Sequence, residues 1–192
     1  KNPSPDGSPH QLQNQPRLDI AVGIEFRQDN KLLYIAIAKN NKGFESLNRF
    51  LSRYNREGKH FPERAPEFEN VIVIYPYEKF SPELLRQWEY IGVRKHQLNS
   101  YAIDSSRHDF ASKFIAHHAV TFLPPEKINN KLVYRDHNIH RLLRCISQNT
   151  LLSKLQKEQE ADKDEYMMPE DELKKIFQKF PELIENAEQV VA

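Results

Sequence analysis

A single cysteine, Cys145, stands in the whole chain. One thiol cannot close an internal disulfide, and such sparing use fits a reducing compartment. Cys145 lies inside an apolar helical pattern. It reads as a small buried hydrophobe, because a reactive thiolate needs an electropositive, accessible setting. Glycine is scarce as well, with five residues, and none of them builds a Gly-rich phosphate loop. C-x-x-C, G-x-S-x-G and His-x-His are all missing. No apolar run approaches the length of a membrane-spanning helix. The first residues are polar and Pro-rich, unlike a signal peptide, so the expected setting is cytoplasmic, with no membrane partner. Neither sign of charge dominates: Lys+Arg is 28, Asp+Glu is 27 and the net charge is +1. That balance gives no global field for nucleic acid, which would need a local patch. No basic stripe interleaved with aromatics stands out.

What is present is enough for a core. The 192 residues are 39% hydrophobic and 10% aromatic, which suits one domain, or one domain with an appendage. Residues 1–17, rich in Pro, Asn, Gln and Ser, read as a polar tail or linker. Structure then begins with DIAVGIEF (Asp19 to Phe26) and LLYIAIA (Leu32 to Ala38), two strands expected to form an antiparallel hairpin across RQDNK. Phe44, Leu47, Leu51 and Tyr54 recur at helical spacing. Residues 59–68 hold two prolines and read as a loop. VIVIYP (Val71 to Pro76) has the continuous apolar pattern of a strand covered on both faces. Ser81-Pro82-Glu83 has the form of a helix start, and EYIGV (Glu89 to Val93) of a short strand. Phe110 to Ile115 suits the end of a helix or the start of a strand. AHHAVTFL (Ala116 to Leu123) reads as a strand stopped by Pro124-Pro125.

The last third reads as helical. Ile139, Leu142, Leu143 and Ile146 share one helix face. Residues 154–166 form a charged connector. Pro169-Glu170 opens a helix carrying Leu173, Ile176, Phe177 and Phe180, and Pro181 separates it from a final helix through Leu183 to Val191. Strands alternating with helices predict an α/β fold with a largely parallel sheet.

Chemistry-bearing residues are few. Glu25 sits beside an apolar strand end, where α/β folds gather chemistry; the alternative is a carboxylate on a solvent-exposed pleat. His117 and His118 are neighbours, so on a strand they face opposite ways and cannot both ligate one metal. His137 and His140 have i, i+3 spacing on a helix, open to a role as ligands or as ordinary helix-edge histidines. The Asp162-Lys163-Asp164-Glu165 run reads as a solvated surface. Arg141 and Arg144 read as the polar side of an amphipathic helix, with a DNA-binding patch as the alternative.

The order of these segments resembles a known family. AVGIEF is similar to a "PIIGCEF" strand, and IAIAKNNKGFESLNRFLS (Ile35 to Ser52) to "LLAKNEEGYRNLCRLLS". IHRLLRCISQNTLLSKL (Ile139 to Leu155) and YMMPEDELKKIFQKFPELIENAEQV (Tyr166 to Val190) resemble the late helix and the exit segment of the same domain. The family is the N-terminal PHP (polymerase and histidinol phosphatase) domain of the bacterial DNA polymerase III alpha subunit, in a Bacteroidetes-like form. The resemblance covers most of the chain from Leu18 onward.

The resemblance implies an incomplete, distorted seven-stranded α/β barrel over residues 18–153. Residues 154–192 would be a connector and helices leading toward a polymerase palm. The opening strands, with the family's His-x-His, and the palm aspartates are expected to lie outside this chain. Metal-binding members hold divalent ions on His, Asp, Glu and Cys at the barrel mouth. Here Glu25 matches a strand-end glutamate, His140 lies near a late helix histidine, and His117 or His118 is a candidate shifted replacement, with His118 the one carried forward. Leu33, Ala119, Val120, Thr121, Pro76 and Tyr77 stand where the family places ligand-bearing motifs, and they offer no imidazole or carboxylate. The implied role is a structural scaffold of a replicative DNA polymerase with a degenerate metal site and no cofactor of its own. The parent polymerase would use Mg. The expected partners are the rest of the alpha chain, DNA through that parent, and a proofreading exonuclease subunit. The alternative is a Zn- or Mn-dependent phosphoesterase or 3'-5' exonuclease.

Overall fold

The structure, a computed structural model, describes residues 20–191 apart from Asn30 and Glu78. The tail expected over 1–17 lies outside the described residues. Strands β1 (Val22–Gln28) and β2 (Lys31–Ala38) form the expected antiparallel hairpin. The hairpin closes on the pair Gln28–Lys31, with Asp29 in the left-handed region at φ 49°. Asp is one of the few residues that tolerates this conformation. The turn is therefore tighter than the five residues RQDNK suggest. A register shift between Phe26 and Arg27 bends β1 at its end.

Helix α1 (Asn41–Glu57) follows. Asn40 caps it, its side chain accepting a hydrogen bond from the Gly43 amide at 3.1 Å. Gly58, at φ 60°, ends it. Leu47 and Phe50 are buried against the sheet while Phe44 is 41% exposed, so the buried stripe is rotated slightly from the one its spacing suggests.

Strand β3 (Val71–Pro76) pairs antiparallel with β2 and parallel with β4 (Glu89–Val93). Strand β5 (Phe114–Ala116) extends the sheet in parallel. The result is an open five-stranded mixed sheet in the order β1-β2-β3-β4-β5. The fold is α/β as expected, but the described residues do not close a barrel. The parallel character is confined to β3, β4 and β5, because the tight hairpin forces β2 to run the other way.

Alternation along the strands splits the core in two. One face carries Phe26, Tyr34, Ala36, Val73 and Tyr75 under α1. The same face continues through Ile91, Val93 and Phe114, where two C-terminal helices, α5 (Glu170–Ile176) and α6 (Glu182–Val191), bring Phe177 and Leu183 into contact. The other face carries Ile72, Ile74 and Ile115, covered by Ala187 and Val190 of α6. This two-sided burial explains the unbroken apolar run of β3.

At the N-terminal end of β4, Glu89 is buried at 3% exposure. Its carboxylate accepts bonds from the Tyr75 hydroxyl, the Arg86 amide, and the Arg64 and Arg86 guanidinium groups. Tyr75 in turn accepts the Ala65 amide. This network pins the loop over 59–68, and it satisfies a charge that could not otherwise be buried. Burial, together with the Glu89 charge, pushes the Tyr75 hydroxyl up to about 12.

Several expected elements differ. The strand read over Ala116 to Leu123 ends at Ala116. Beyond it, the Thr121 and Phe122 amides bond to the Glu165 carbonyl, and Phe122 forms a single bridge with Tyr166. The ladder partner is thus the connector rather than the sheet. The helix start at Ser81-Pro82-Glu83 yields one 3-10 turn, Pro82–Leu84, without a side-chain cap from Ser81. Two short helices, α2 (Leu98–Ile103) and α3 (Ser106–Asp109), were not evident from periodicity. The hairpin of β6 (Glu126–Ile128) and β7 (Lys131–Val133) was not either. Asn129 and Asn130, at φ 49° and 63°, make its turn.

Candidate functional site

Strand β1 runs parallel to β3, β4 and β5, so their C-terminal ends gather on one side of the sheet. A cleft of about 1050 Å³ opens there. Open α/β sheets characteristically place ligands at this end, because backbone amides and loop side chains converge on it. Tyr77, Arg94 and His117 reach the cleft from the ends of β3, β4 and β5, while Glu25 reaches it from the middle of β1 and not from the strand end expected for it. Helix α4 (Arg135–Ser147) adds His140 and Arg144, and the connector adds Glu160 and Glu165.

The structure therefore brings Glu25, His118 and His140 to one cleft, although they are far apart in sequence. Each is already engaged by a neighbour. The Glu25 carboxylate receives the Arg27 guanidinium, with Nε at 2.9 Å and Nη2 at 2.8 Å. His118 Nε2 lies 2.8 Å from the Tyr166 carbonyl, and as a donor it ties the strand end to the connector. His140 Nε2 accepts the Ala161 amide at 3.2 Å, which leaves the ring proton on Nδ1. Burial, followed by the nearby charge of Arg144, lowers the His140 pKa below its ordinary range, in keeping with a neutral acceptor.

His117 is more deeply placed. Its ring packs on Gly92, where an added Cβ would stand 2.9 Å from His117 Cβ. Gly92 is thus the small residue that makes room for the histidine. Burial, then the charges of Arg94 and His118, push the His117 pKa down to about 4.

Sequence reading missed the residues that organise the cleft. Arg94 follows the last residue of β4, and its Nη1 meets Glu165 Oε1 at 3.0 Å. Thr121 Oγ1 donates to the other Glu165 oxygen at 2.8 Å. Lys95 pairs with Asp164 at 3.2 Å. The acidic run read as solvated surface is in fact clamped onto the β4 end, and the Glu165 side chain is 17% exposed. On α4, Arg141 pairs with Glu160 at 2.5 Å and Arg144 Nε donates to the Gln159 carbonyl at 2.7 Å. These two arginines face the connector and not a free surface. The only signal available in the sequence was the strand-end position of Arg94.

Among the described residues, no three His, Cys, Asp or Glu side chains form a group that could hold a metal ion. The candidate donors do not form a set that suits a divalent ion: one nitrogen of His118 and one of His140 are bound to backbone, and the Glu25, Glu160 and Glu165 carboxylates to arginines. What the arrangement does chemically is cross-link. Ion pairs and histidine bonds join the strand ends, α4 and the connector across the cleft. With Arg27, Lys31, Arg94 and Arg144 against Glu25, Glu160 and Glu165, the lining is cationic by one charge. Comparison with family models, with curated proteins and with solved structures finds no match to this chain.

Proposed function

We propose that this chain is a non-catalytic scaffold, the PHP-like portion of a replicative DNA polymerase alpha chain. In this reading β1 to β5 are part of an incomplete seven-stranded barrel. The parts outside the chain, DNA held by the parent, and a proofreading exonuclease subunit are its partners. One observation carries the scaffold role. Each of His118, His140, Glu160 and Glu165 in the cleft holds another segment of the chain, and Glu25 is paired with Arg27 on its own strand. A hydrolytic site needs the opposite: at least three free ligands, and a metal-activated water within reach of substrate. The sequence resemblance to the polymerase family supplies the parent.

The metal-dependent phosphoesterase remains the second reading. It draws on the cleft's position at the C-terminal strand ends and on its cationic excess. The two readings part in one experiment. The full chain is equilibrated with Zn(II) or Mn(II), desalted, and assayed for metal content and for hydrolysis of bis-(p-nitrophenyl) phosphate. The scaffold predicts substoichiometric metal and no hydrolysis above buffer. Stoichiometric metal with metal-dependent turnover that Glu25→Gln abolishes would establish the enzyme instead. The polymerase assignment is checked separately, by adding the chain to an alpha subunit lacking its PHP domain. A stable complex with restored primer extension is expected, and no association would remove that parent.

A further inference from the structure

The outward side of α1 carries a row of cations. Lys42, Arg49, Arg53 and Arg56 recur at i, i+7, i+11 and i+14. At about 3.6 residues per turn they fall within an arc of about 60°. The row is about 21 Å long, and all four side chains are exposed. Exposed Asn48, Ser52 and Asn55 run along its flank. Gly43, Leu47 and Phe50 bury another side of the helix on the sheet core, so a rigid element holds the row straight.

The positive charge survives a count of the neighbouring acids. Residues 41–59 hold five basic side chains against two acidic ones, a net +3, whereas the whole chain has +1. Glu45 pairs with Arg49 at 2.6 Å and Glu57 with Lys59 at 2.8 Å. Among the described residues, Lys42, Arg53 and Arg56 are in no ion pair; Arg53 lies over the Phe50 and Tyr54 rings. The acids of the following loop face elsewhere. The charge of Glu63 acts on Lys79, while Glu67 and Glu69 line a groove beside Trp88. The Glu57 carboxyl is held below its ordinary range, first by the Lys59 hydrogen bond and then, against the cost of burial, by the charges of Lys59, Arg53 and Arg56. That is the mark of a positive surrounding.

Shape and polarity select the occupant. A helix lying on a membrane inserts its apolar side, and that side of α1 is in the core. A protein interface needs apolar or aromatic anchors at its centre. The row offers none, since Phe44, 41% exposed, lies across the helix, two residues from Lys42. Single strands bind by stacking bases on aromatic rings, which the row lacks for the same reason. Arginine forks match phosphate oxygens, and Asn and Ser supply the neutral donors typical of sugar-phosphate contacts. We infer that the α1 row binds the phosphate backbone of duplex DNA without reading its sequence. The wide major groove of B-form DNA leaves its phosphate edges open to a helix, whereas that of A-form RNA is narrow. The inference does not depend on the polymerase reading, in which the parent protein holds the DNA; here the chain itself makes the contact.

The test uses the full chain and a labelled random-sequence DNA duplex of about 20 base pairs, followed by fluorescence anisotropy from about 50 to 200 mM salt. Binding should weaken with salt at a log–log slope of about −3, the value for three to four neutralised phosphates. Arg53→Gln with Arg56→Gln should weaken binding at low salt by at least about tenfold and make the slope shallower by about 2. Its melting temperature should stay at the parent's, because both side chains are in solvent. Lys127→Gln with Lys131→Gln removes the same net charge from exposed positions on the β6–β7 hairpin, and should leave the slope unchanged. Equal weakening by the hairpin variant would overturn the inference in favour of a net-charge effect. Binding to an RNA duplex of the same sequence, to poly-L-glutamate or to phosphatidylserine vesicles as tightly as to DNA would also overturn it. So would no binding to DNA, or a slope that the α1 variant does not change.

Discussion

His117 shows how one half-buried residue sets a response to acid. Its ring is held on Gly92 beside Arg94 and His118, and no carboxylate is among the groups that shift it. The folded pKa of about 4 lies below the ordinary value of 6.5. As pH falls, the unfolded chain therefore takes up the proton first. Stability linked to neutral His117 is fully present above pH 6.5 and is lost as pH drops from there to about 4. The shift corresponds to an upper limit of roughly 3 kcal/mol. His140 is shifted the same way, chiefly by burial, with Arg144 and His137 adding and Glu160 and Glu165 opposing, so it adds to the slope. Urea unfolding of the native chain and of His117→Gln at pH 7 and pH 4.5 measures the effect. The stability lost between the two pH values should be smaller in the variant by about 2 kcal/mol. Equal losses would show that His117 is protonated in the fold.

At the level of elements, the start of α1 is fixed by a close approach. Gly43 lies so near the Asn70 carbonyl that an added Cβ would stand 2.1 Å from that oxygen. The same carbonyl accepts the Lys39 amide at 2.9 Å, and Asn40 Nδ2 donates to Asn70 Oδ1 at 3.1 Å. The backbone around it is held and cannot retreat. In an open helix Gly→Ala stabilises by roughly 0.5–1 kcal/mol. Gly43→Ala should instead destabilise by about 3 kcal/mol, the cost of forcing backbone apart. Lys42→Ala, one residue earlier and exposed, should be neutral or slightly stabilising. Denaturant midpoints of the pair check this; a stabilised Gly43→Ala would show that the Asn70 carbonyl can retreat. Such approaches are invisible in sequence, whereas β2, β3 and β4 are legible because burial writes itself into apolar runs. Periodicity also revealed the stripe of α4, but it cannot say which way a stripe faces, and here it faces out. The strand read over 116–123 failed for a related reason. Its apolar residues are paired to a connector whose own sequence is charged. The β6–β7 hairpin was overlooked because its strands are three residues long and too short to show alternation; the Asn129-Asn130 pair was the available sign.

Across the whole molecule, the connector over 159–166 is what turns a sheet edge into a cleft. It crosses from α4 to the ends of β4 and β5 and returns the chain to α5. It is held by Arg94, Lys95, His118 and the Thr121 and Phe122 amides. These are polar bonds at a surface with few apolar contacts, and such segments open at lower free energy than a core. Glu25, His118 and His140 could be read as one site only because this crossing brings His140 over the strand ends, a long-range fact that no local pattern carries. Arg94 is the deepest polar anchor, joining residues 71 apart in sequence. Arg94→Ala leaves the Glu165 carboxylate half of its partners in a poorly solvated place, which favours release of the connector to water. The charge that helps keep His117 neutral is removed at the same time. Hydrogen exchange should then rise by about tenfold or more at the Thr121, Phe122 and Met167 amides, which bond between the connector and the segment after β5, while β3 and β4 keep their protection. The His117 pKa, followed by NMR, should move up toward 6.5 in the same variant. If the connector stayed protected in Arg94→Ala, the cleft would be closed by the packing of Phe122 and Tyr166, and its ion pairs would be surface decoration worth little.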